Sequence, residues 1–462
     1  MITRIEISGF KSFWDFSLDF APFTVVAGTN ASGKSNLFDA MRLLSNLATT
    51  DLRTAFTQMG RGEMHELFSC YADGRSAMHM KFAVEMLVPR TVSDAWGQKD
   101  ELKTPRMRYE LEIERYTDNH GIEQLKVVHE KLERIASTND KWVKQYMKNQ
   151  KAIWSAERSG GGTGKPYIST QPDDKGLITI KMRQDMHGGG RDRVADTVSQ
   201  TVLSSVISTD FPHVFAAKQE LMGWHYMQLN PEVLREPAKI DLGVDSPLGY
   251  DGSGLAAVMY RMKIEDPHLI TLVSRTVTRF LKEYKQVDVV RDDEHRLFVI
   301  KLINQKNVAF TSRVLSEGTL RLITLAVMMH DPKHQGLLCF EEPENGIHPA
   351  RIGQMMDLLS QLAYTPDYPD ELRQVVVNTH SPQVMEQVFN QCDKNSSVAL
   401  VYSHSVVHFD EVEGARTSMN VTHMIPVSQD PQQSIPGIDD TERKICISEV
   451  YRLLNRGEEG AL

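Results

Sequence analysis

Apolar residues follow two rhythms along this chain. Some recur every third or fourth position, as on the buried face of a helix. Others run unbroken for a few residues, as in strands covered on both faces. FTVVAG (Phe23–Gly28), GLLCF (Gly336–Phe340) and QVVVN (Gln374–Asn378) are unbroken runs and predict buried strands, the last two of parallel type. From Ser35 onward the helical rhythm takes over, with Leu37, Ala40, Met41, Leu44, Leu47 and Ala48 on one face. IEISGF and FSLDF predict short strands around the turn KSFWD, and MRYELEIERY with QLKVVHEKLERI predicts a hairpin at Asn119-His120-Gly121. Residues 195 to 285 read mostly as helices, and strands return in HRLFVIKLI, then in the two runs VALVYS and VVHFDEVE. LSEGTLRLITLAVMM (Leu315–Met329) is apolar on most faces, which predicts a buried helix. It opens, however, on the small polar turn Ser316-Glu317-Gly318-Thr319.

This order predicts an α/β protein built on a parallel sheet flanked by helices. Residues 1–140 form a mixed β lobe, and 141–285 an inserted, mainly helical domain with a basic stretch. Residues 286–425 return to the first fold, and 426–462 are a polar tail with a short helix. Composition changes little in this picture. With 462 residues, 41% hydrophobic and 24% charged, the chain can bury a large core. Its net charge of −9 argues against a general nucleic-acid coat but leaves room for a local basic patch. Cys70, Cys339, Cys392 and Cys446 are far apart and make no metal or disulfide framework. The N-terminus lacks the apolar core of a signal peptide, and no run approaches the roughly 18 apolar residues of a membrane span. A cytoplasmic location is expected, with no membrane contact.

Chemistry enters after the first buried strand. Gly28-Thr29-Asn30-Ala31-Ser32-Gly33-Lys34-Ser35 is G-x-x-x-x-G-K-[ST] between a strand and a helix, the context a phosphate loop requires. The glycines let backbone N–H groups wrap a phosphate, and the helix N-terminus adds partial positive charge. Lys34 is expected to reach the β- and γ-oxygens of ATP, and the Ser35 hydroxyl to bind Mg²⁺. Asn30, Ala31, Ser32 and Asn36 complete the expected nucleotide contacts. SGGGTGKP (Ser159–Pro166) fails as a second loop, because Ser159 stands where the first glycine belongs and Pro166 where the hydroxyl belongs.

The run GLLCF ends in Glu341-Glu342. Carboxylates at the mouth of a buried strand, in a chain with a phosphate loop, suit a metal and a general base. Glu341 is expected to hold Mg²⁺ and Glu342 to take the proton of an attacking water. QVVVN ends in Thr379-His380-Ser381-Pro382, where His380 can sense a γ-phosphate. His348 suits either a partner contact or a local hydrogen bond. Ser316 can be read as a helix cap. Gly318 weakens a helix start, which leaves open a second reading of the turn as an anion site.

The succession of phosphate loop, LSEGT turn, EEPE strand end and THSP resembles the ATP-binding-cassette (ABC) heads of the chromosome-maintenance, RecF and OLD (overcoming lysogenization defect) group. Within it the chain looks like the AAA-family proteins with an OLD-like ATPase domain, over most of residues 1–95 and 286–410. The resemblance places ISGFKSF in the N-terminal strands of the ATP lobe. It makes LSEGT the signature turn, with Ser316 and Gly318 on a γ-phosphate, Glu342 the catalytic glutamate and His380 the switch histidine. It also implies a homodimer, or an oligomer of dimers, closed head to tail around ATP. A separately encoded effector, such as a nuclease, would be controlled in anti-phage defence. Two features depart from that pattern. Glu341 replaces the usual Asp, and the metal- and water-sensing glutamine is not evident, Gln58 being a weak candidate. No D-x-D follows an acidic strand after His380, so the nuclease domain of full OLD proteins is not expected.

Two other functions compete. Eight Lys/Arg (131, 134, 141, 144, 148, 151, 158, 165) stand against three Asp/Glu (133, 140, 157) between 131 and 165, with Trp142, Tyr146 and Trp154 interleaved. That stretch would suit DNA in a repair ATPase, or a protein-docking face. A slow-turnover scaffold held together by ATP is the other.

Overall fold

The structure is a computed structural model. It describes residues 1–462 except 61–62, 148–164, 173–177, 184–189, 195–198, 241–247, 365–371, 393, 413–414, 428–439 and 460–462. The chain opens with β1 (Ile2–Ser8), β2 (Phe16–Asp19) and β3 (Phe23–Gly28), then α1 (Lys34–Leu47) and α2 (Leu52–Thr57). There follow β4 (His79–Leu87), the small hairpin β5 (Thr91–Ser93) and β6 (Lys99–Glu101), and the long hairpin β7 (Arg106–Thr117) and β8 (Glu123–Arg134). After α3 (Lys141–Tyr146) come β9 (Ile168–Pro172), β10 (Ile178–Arg183) and β11 (Gly190–Val194). An antiparallel sheet joins them in the order β11-β10-β9-β8-β7-β4-β1-β2.

The next stretch holds α4 (Pro212–Met222), β12 (His225–Met227), α5 (Pro231–Arg235), β13 (Ala238–Lys239), α6 (Leu255–Glu265) and α7 (Pro267–Phe280). A small sheet follows from β14 (Tyr284–Asp292), β15 (Leu297–Asn304) and β16 (Ala309–Thr311), joined by β13. Then come α8 (Glu317–His330), β17 (Gly336–Glu341), α9 (Pro349–Leu362), β18 (Arg373–Thr379) and α10 (Pro382–Cys392). The last elements are β19 (Val398–Val412), β20 (Ala415–Val427) and α11 (Asp440–Glu459).

The sheet that matters most has the order β12-β17-β18-β3-β19-β20. Every neighbour is parallel except β19 and β20, which are antiparallel. Both of its faces are buried, which is why its strands read as unbroken apolar runs. Val26, Val376 and Cys339 pack to one side, with α1 and the antiparallel sheet. Val25, Ala27, Val375, Val377 and Phe340 pack to the other, with α6 to α10. Helix α1 therefore lies between two sheets, and its buried face is wide, from Leu37 and Phe38 through Leu47.

The segment 141–285 is helical in its second half, as expected, but its first half carries β9 to β11. ITIKMR alternates apolar and polar residues as a half-buried strand should; its glycine-rich neighbours conceal it. VALVYS and VVHFDEV belong to one 15-residue strand, with the polar pair His404-Ser405 between them inside it, and Glu413 lies outside the described residues. ARTSMNVTHMIPV, not predicted, is its partner β20. The C-terminal helix is 20 residues long rather than short. Among the described residues no helix is long and apolar enough to cross a membrane.

Candidate nucleotide site

Strand β3 ends at Gly28 and α1 starts after Gly33, so the loop between them sits at the carboxyl edge of the parallel sheet. Gly33 has φ 91°, a left-handed backbone, and a Cβ there would lie 1.9 Å from Thr422 Oγ1. At Gly28 a Cβ would lie 2.4 Å from the Ser403 carbonyl oxygen. Both glycines are thus required by steric fit. Ala31 also takes a left-handed φ of 63°, and Asn30, Ala31 and Ser35 are exposed at the rim. Lys34 Nζ donates to the carbonyls of Gly28 at 2.8 Å and Thr29 at 2.7 Å. Burial lowers its pKa, against the raising effect of the Glu342 charge. The buried Ser32 Oγ has no hydrogen-bond partner. Two glycines pressed on the hairpin behind them, an inward lysine, an orphaned hydroxyl and a helix N-terminus fit a polyphosphate with its Mg²⁺.

Sequence reasoning missed what supports this loop. Ser403 on β19 donates its hydroxyl to the Ser32 carbonyl at 2.8 Å, and Thr422 on β20 does so at 3.3 Å. Thr422 Oγ1 also lies 2.7 Å from Ser12 Oγ, and Asn36 Nδ2 donates to Ser12 at 2.8 Å. The Asn36 side chain is therefore turned toward the ISGFKSF turn. Ser12 stands inside that motif, and its polar position was the available signal.

The acidic group is built from two neighbouring strands. Strand β17 lies beside β18, Glu341 is in register with Asn378, and β18 lies beside β3. Glu341 ends β17, half-buried. Glu342 follows with φ 44°, unusual for a residue with a side chain. Its N–H is held by the backbone oxygen of Asn378 at 3.1 Å and by Asn378 Oδ1 at 3.2 Å. This backbone turn sends the carboxylate to His380 Nδ1 at 2.8 Å and to Asn345 Nδ2 at 2.8 Å. Burial pulls the Glu342 pKa up, but hydrogen bonds from Asn345 and His380 and the charges of His380 and Lys34 outweigh it. The carboxyl is held below its ordinary value, ionised at neutral pH. Behind it, Glu344 is buried and bonded to Thr379 Oγ1; burial, aided by the charge of Glu342, raises its pKa. Asn345, Asn378 and Glu344 were missed, although all lie within the quoted motifs.

Ser316 caps α8: its Oγ accepts from the Thr319 N–H at 3.3 Å and lies 2.9 Å from Thr319 Oγ1. A Cβ at Gly318 would come within 3.1 Å of the Gly346 carbonyl oxygen, in the loop that follows Glu342. Close packing on that loop is thus a sufficient reason for the glycine, and the turn joins the acidic strand end to α8. Gln58 is exposed at the end of α2. His348 caps α9, accepting the Ala350 N–H at 3.2 Å.

The basic stretch is only partly described. Lys148, Lys151, Trp154 and Arg158 lie outside the described residues. Trp142 is a core residue, 7% exposed, whose Nε1 donates to the Phe20 carbonyl at 2.6 Å. It is not free to stack on a base. Asp140 is buried in a two-bond pair with Arg106. A cleft of about 670 Å³ lies on the small sheet around Arg291, Asp293, His295 and Arg313, and shares no residue with the phosphate loop.

Comparison with known proteins agrees with this geometry. Residues 1–159 match a family described as an AAA ATPase domain, and residues 213–386 one described as "AAA domain, putative AbiEii toxin, Type IV TA system". A 51-residue stretch is 51% identical to the chromosome partition protein Smc of Synechocystis sp. (strain ATCC 27184 / PCC 6803 / Kazusa). It spans 11% of this chain and 4% of that protein. The crystal structure of an Smc head bound to the C-terminal winged-helix domain of ScpA is similar over 93% of this chain and 98% of that one. The TM-score there is 0.50 and the identity 12%, a likeness of fold. With its phosphate loop at the edge of a parallel sheet and AAA-family matches in both halves, the chain is similar to AAA-type ATPases and shares the fold of the Smc head.

Proposed function

We propose that this chain is an ATP-driven switch. It binds Mg-ATP at the phosphate loop, closes head to tail on a second copy, hydrolyses the nucleotide and so controls a separately encoded effector. The observation that carries the catalytic part is Glu342. It is an ionised carboxylate aimed by His380 and Asn345, and its charge is felt by Lys34 across the mouths of three adjacent strands.

Bound Mg²⁺, held by Ser35 and Glu341, would neutralise charge on the transferred phosphoryl group. The chain's own residues do the rest. Lys34 leaves its two carbonyl partners for the β- and γ-oxygens. Glu342 accepts a proton from water as the water oxygen attacks the γ-phosphorus, and the bond to the ADP oxygen breaks. His380 keeps the Glu342 carboxylate oriented and lies where loss of the γ-phosphate is sensed. Ser316 and the N–H groups near Gly318 meet the γ-phosphate held by the second copy. The order of motifs supports that last step, and so does the exposed position of Ser316. A defence setting draws support from the toxin–antitoxin description of one matched family. The Smc head's contact with ScpA is a precedent for a protein partner.

Glu342→Gln is expected to keep ATP binding and lose about 10²–10⁴ in turnover. Lys34→Ala is expected to lose binding as well. Binding is read by nucleotide titration and turnover by phosphate release. A Glu342→Gln protein that hydrolyses ATP at the wild-type rate would remove Glu342 from this role.

A further inference from the structure

A second constellation lies away from the nucleotide site. His404 on β19 and His423 on β20 are directly opposite each other across the antiparallel ladder. Their rings lie on one face of the hairpin, centroids 5.9 Å apart. Glu442, in the first turn of α11, reaches both: its Oε1 is 2.9 Å from His404 Nε2 and 2.6 Å from His423 Nδ1. One turn further along α11, Cys446 Sγ lies 3.5 Å from His404 Nδ1. The side chains of His404, His423 and Glu442 are partly shielded from water, between 22% and 41% exposed.

We propose that His404 Nε2, His423 Nδ1 and Glu442 Oε1 form a binding site for a divalent first-row transition metal of the zinc class. The donor atoms lie within 4.8 Å of one another. With metal–ligand bonds of about 2.0–2.2 Å, tetrahedral donors sit roughly 3.3–3.6 Å apart. A metal would spread the two short contacts by about half an ångström to one ångström, within the reach of side-chain rotation. Two imidazoles and one carboxylate are borderline donors suited to such an ion and poorly suited to Mg²⁺ or Ca²⁺, which take all-oxygen sets. Cys446 Sγ, 3.5 Å from Nδ1 and 3.9 Å from Nε2 of His404, packs over that ring and limits its rotation.

The site has a mechanical consequence for the nucleotide loop. Adjacent residues of a strand point to opposite faces. Ser403 and Thr422, which hold the Ser32 carbonyl, are therefore the immediate neighbours of His404 and His423 on the other face of the same hairpin. The ion would pin α11 to the strands that brace the phosphate loop.

The test uses the full, untagged chain, stripped of metal with a chelator and kept free of nucleotide. Zn²⁺ is titrated in competition with a chromophoric chelator. One Zn²⁺ per chain is expected. Glu442→Gln and His423→Ala each weaken binding by more than the roughly 10–100-fold typical of outer-shell changes. Absence of stoichiometric Zn²⁺, or unchanged affinity in both variants, overturns the site and leaves a hydrogen-bonded cluster. Should the variants fail to fold, Co²⁺ added to the wild-type chain decides. Strong visible absorption of a four- or five-coordinate ion supports the site. The weak spectrum of an octahedral, oxygen-bound ion overturns it.

Discussion

At the scale of single residues, burial decides what a charge can do. Glu130 on β8 is fully buried, and it receives the Val202 N–H at 2.6 Å, the Leu203 N–H at 2.9 Å and the Tyr109 hydroxyl at 3.1 Å. Burial outweighs these donors and raises its pKa from 4.5 to about 7. The folded chain therefore binds more protons at Glu130 than the unfolded chain does between those values. Its contribution to stability is full below pH 4.5 and is lost as pH rises through about 7. Measured by denaturant unfolding between pH 5 and 8, the wild type should lose up to about 3 kcal/mol relative to Glu130→Gln, which has no proton to lose. A difference that stays flat with pH would contradict this. Nothing in KVVHEKLER marks Glu130 as special, because its partners Val202 and Leu203 are brought in by the fold. Glu342 was legible, because an acid that directly follows a buried apolar strand stands at the sheet's edge, where a phosphate loop also opens.

At the scale of elements, the phosphate loop is only as rigid as the hairpin behind it. β19 and β20 supply Ser403 and Thr422, two donors to one carbonyl. Each hydrogen bond contributes about 1 kcal/mol, so Ser403→Ala with Thr422→Val should raise the Kd for ATP by up to roughly thirtyfold without unfolding the chain. Nucleotide titration beside circular dichroism checks this, and an unchanged Kd would reduce the pair to scaffolding. The three central parallel strands and α1 were readable because burial on both faces leaves no polar position to confuse the pattern. β20 was not, because Thr, Asn and His alternate with its apolar residues for reasons that lie on other elements. The same polar partners made β19 read as two strands.

At the scale of the whole molecule, the LSEGT turn tests the proposal of a head-to-tail dimer. A bulky residue at Gly318 would collide with the chain's own Gly346 loop, so loss of closure there would be ambiguous. Ser316 offers a cleaner choice, since Asn and Asp both replace Ser as helix caps at little cost. In a Glu342→Gln background, Ser316→Asn should still double in mass on adding ATP. Ser316→Asp, which sets a negative charge against the partner's γ-phosphate, should stay single while binding ATP normally. Equal behaviour of the two would argue that the turn never meets an anion. The layered plan of the molecule was legible from the order of its motifs. The enlargement of the antiparallel sheet by β9 to β11 was not, since these strands lie among glycine-rich loops and β9 meets β8 across a long intervening segment.

The left-handed backbone at Glu342 has a consequence beyond aiming a carboxylate. A side chain at that φ costs of order 1–3 kcal/mol that a glycine would not incur. On the role proposed for Glu342, folding and turnover want different residues at one position. A lineage of this chain that no longer needed to hydrolyse ATP could gain stability by the very change that ends its activity. Glycine there would mark a descendant that has become a pure nucleotide-held assembly.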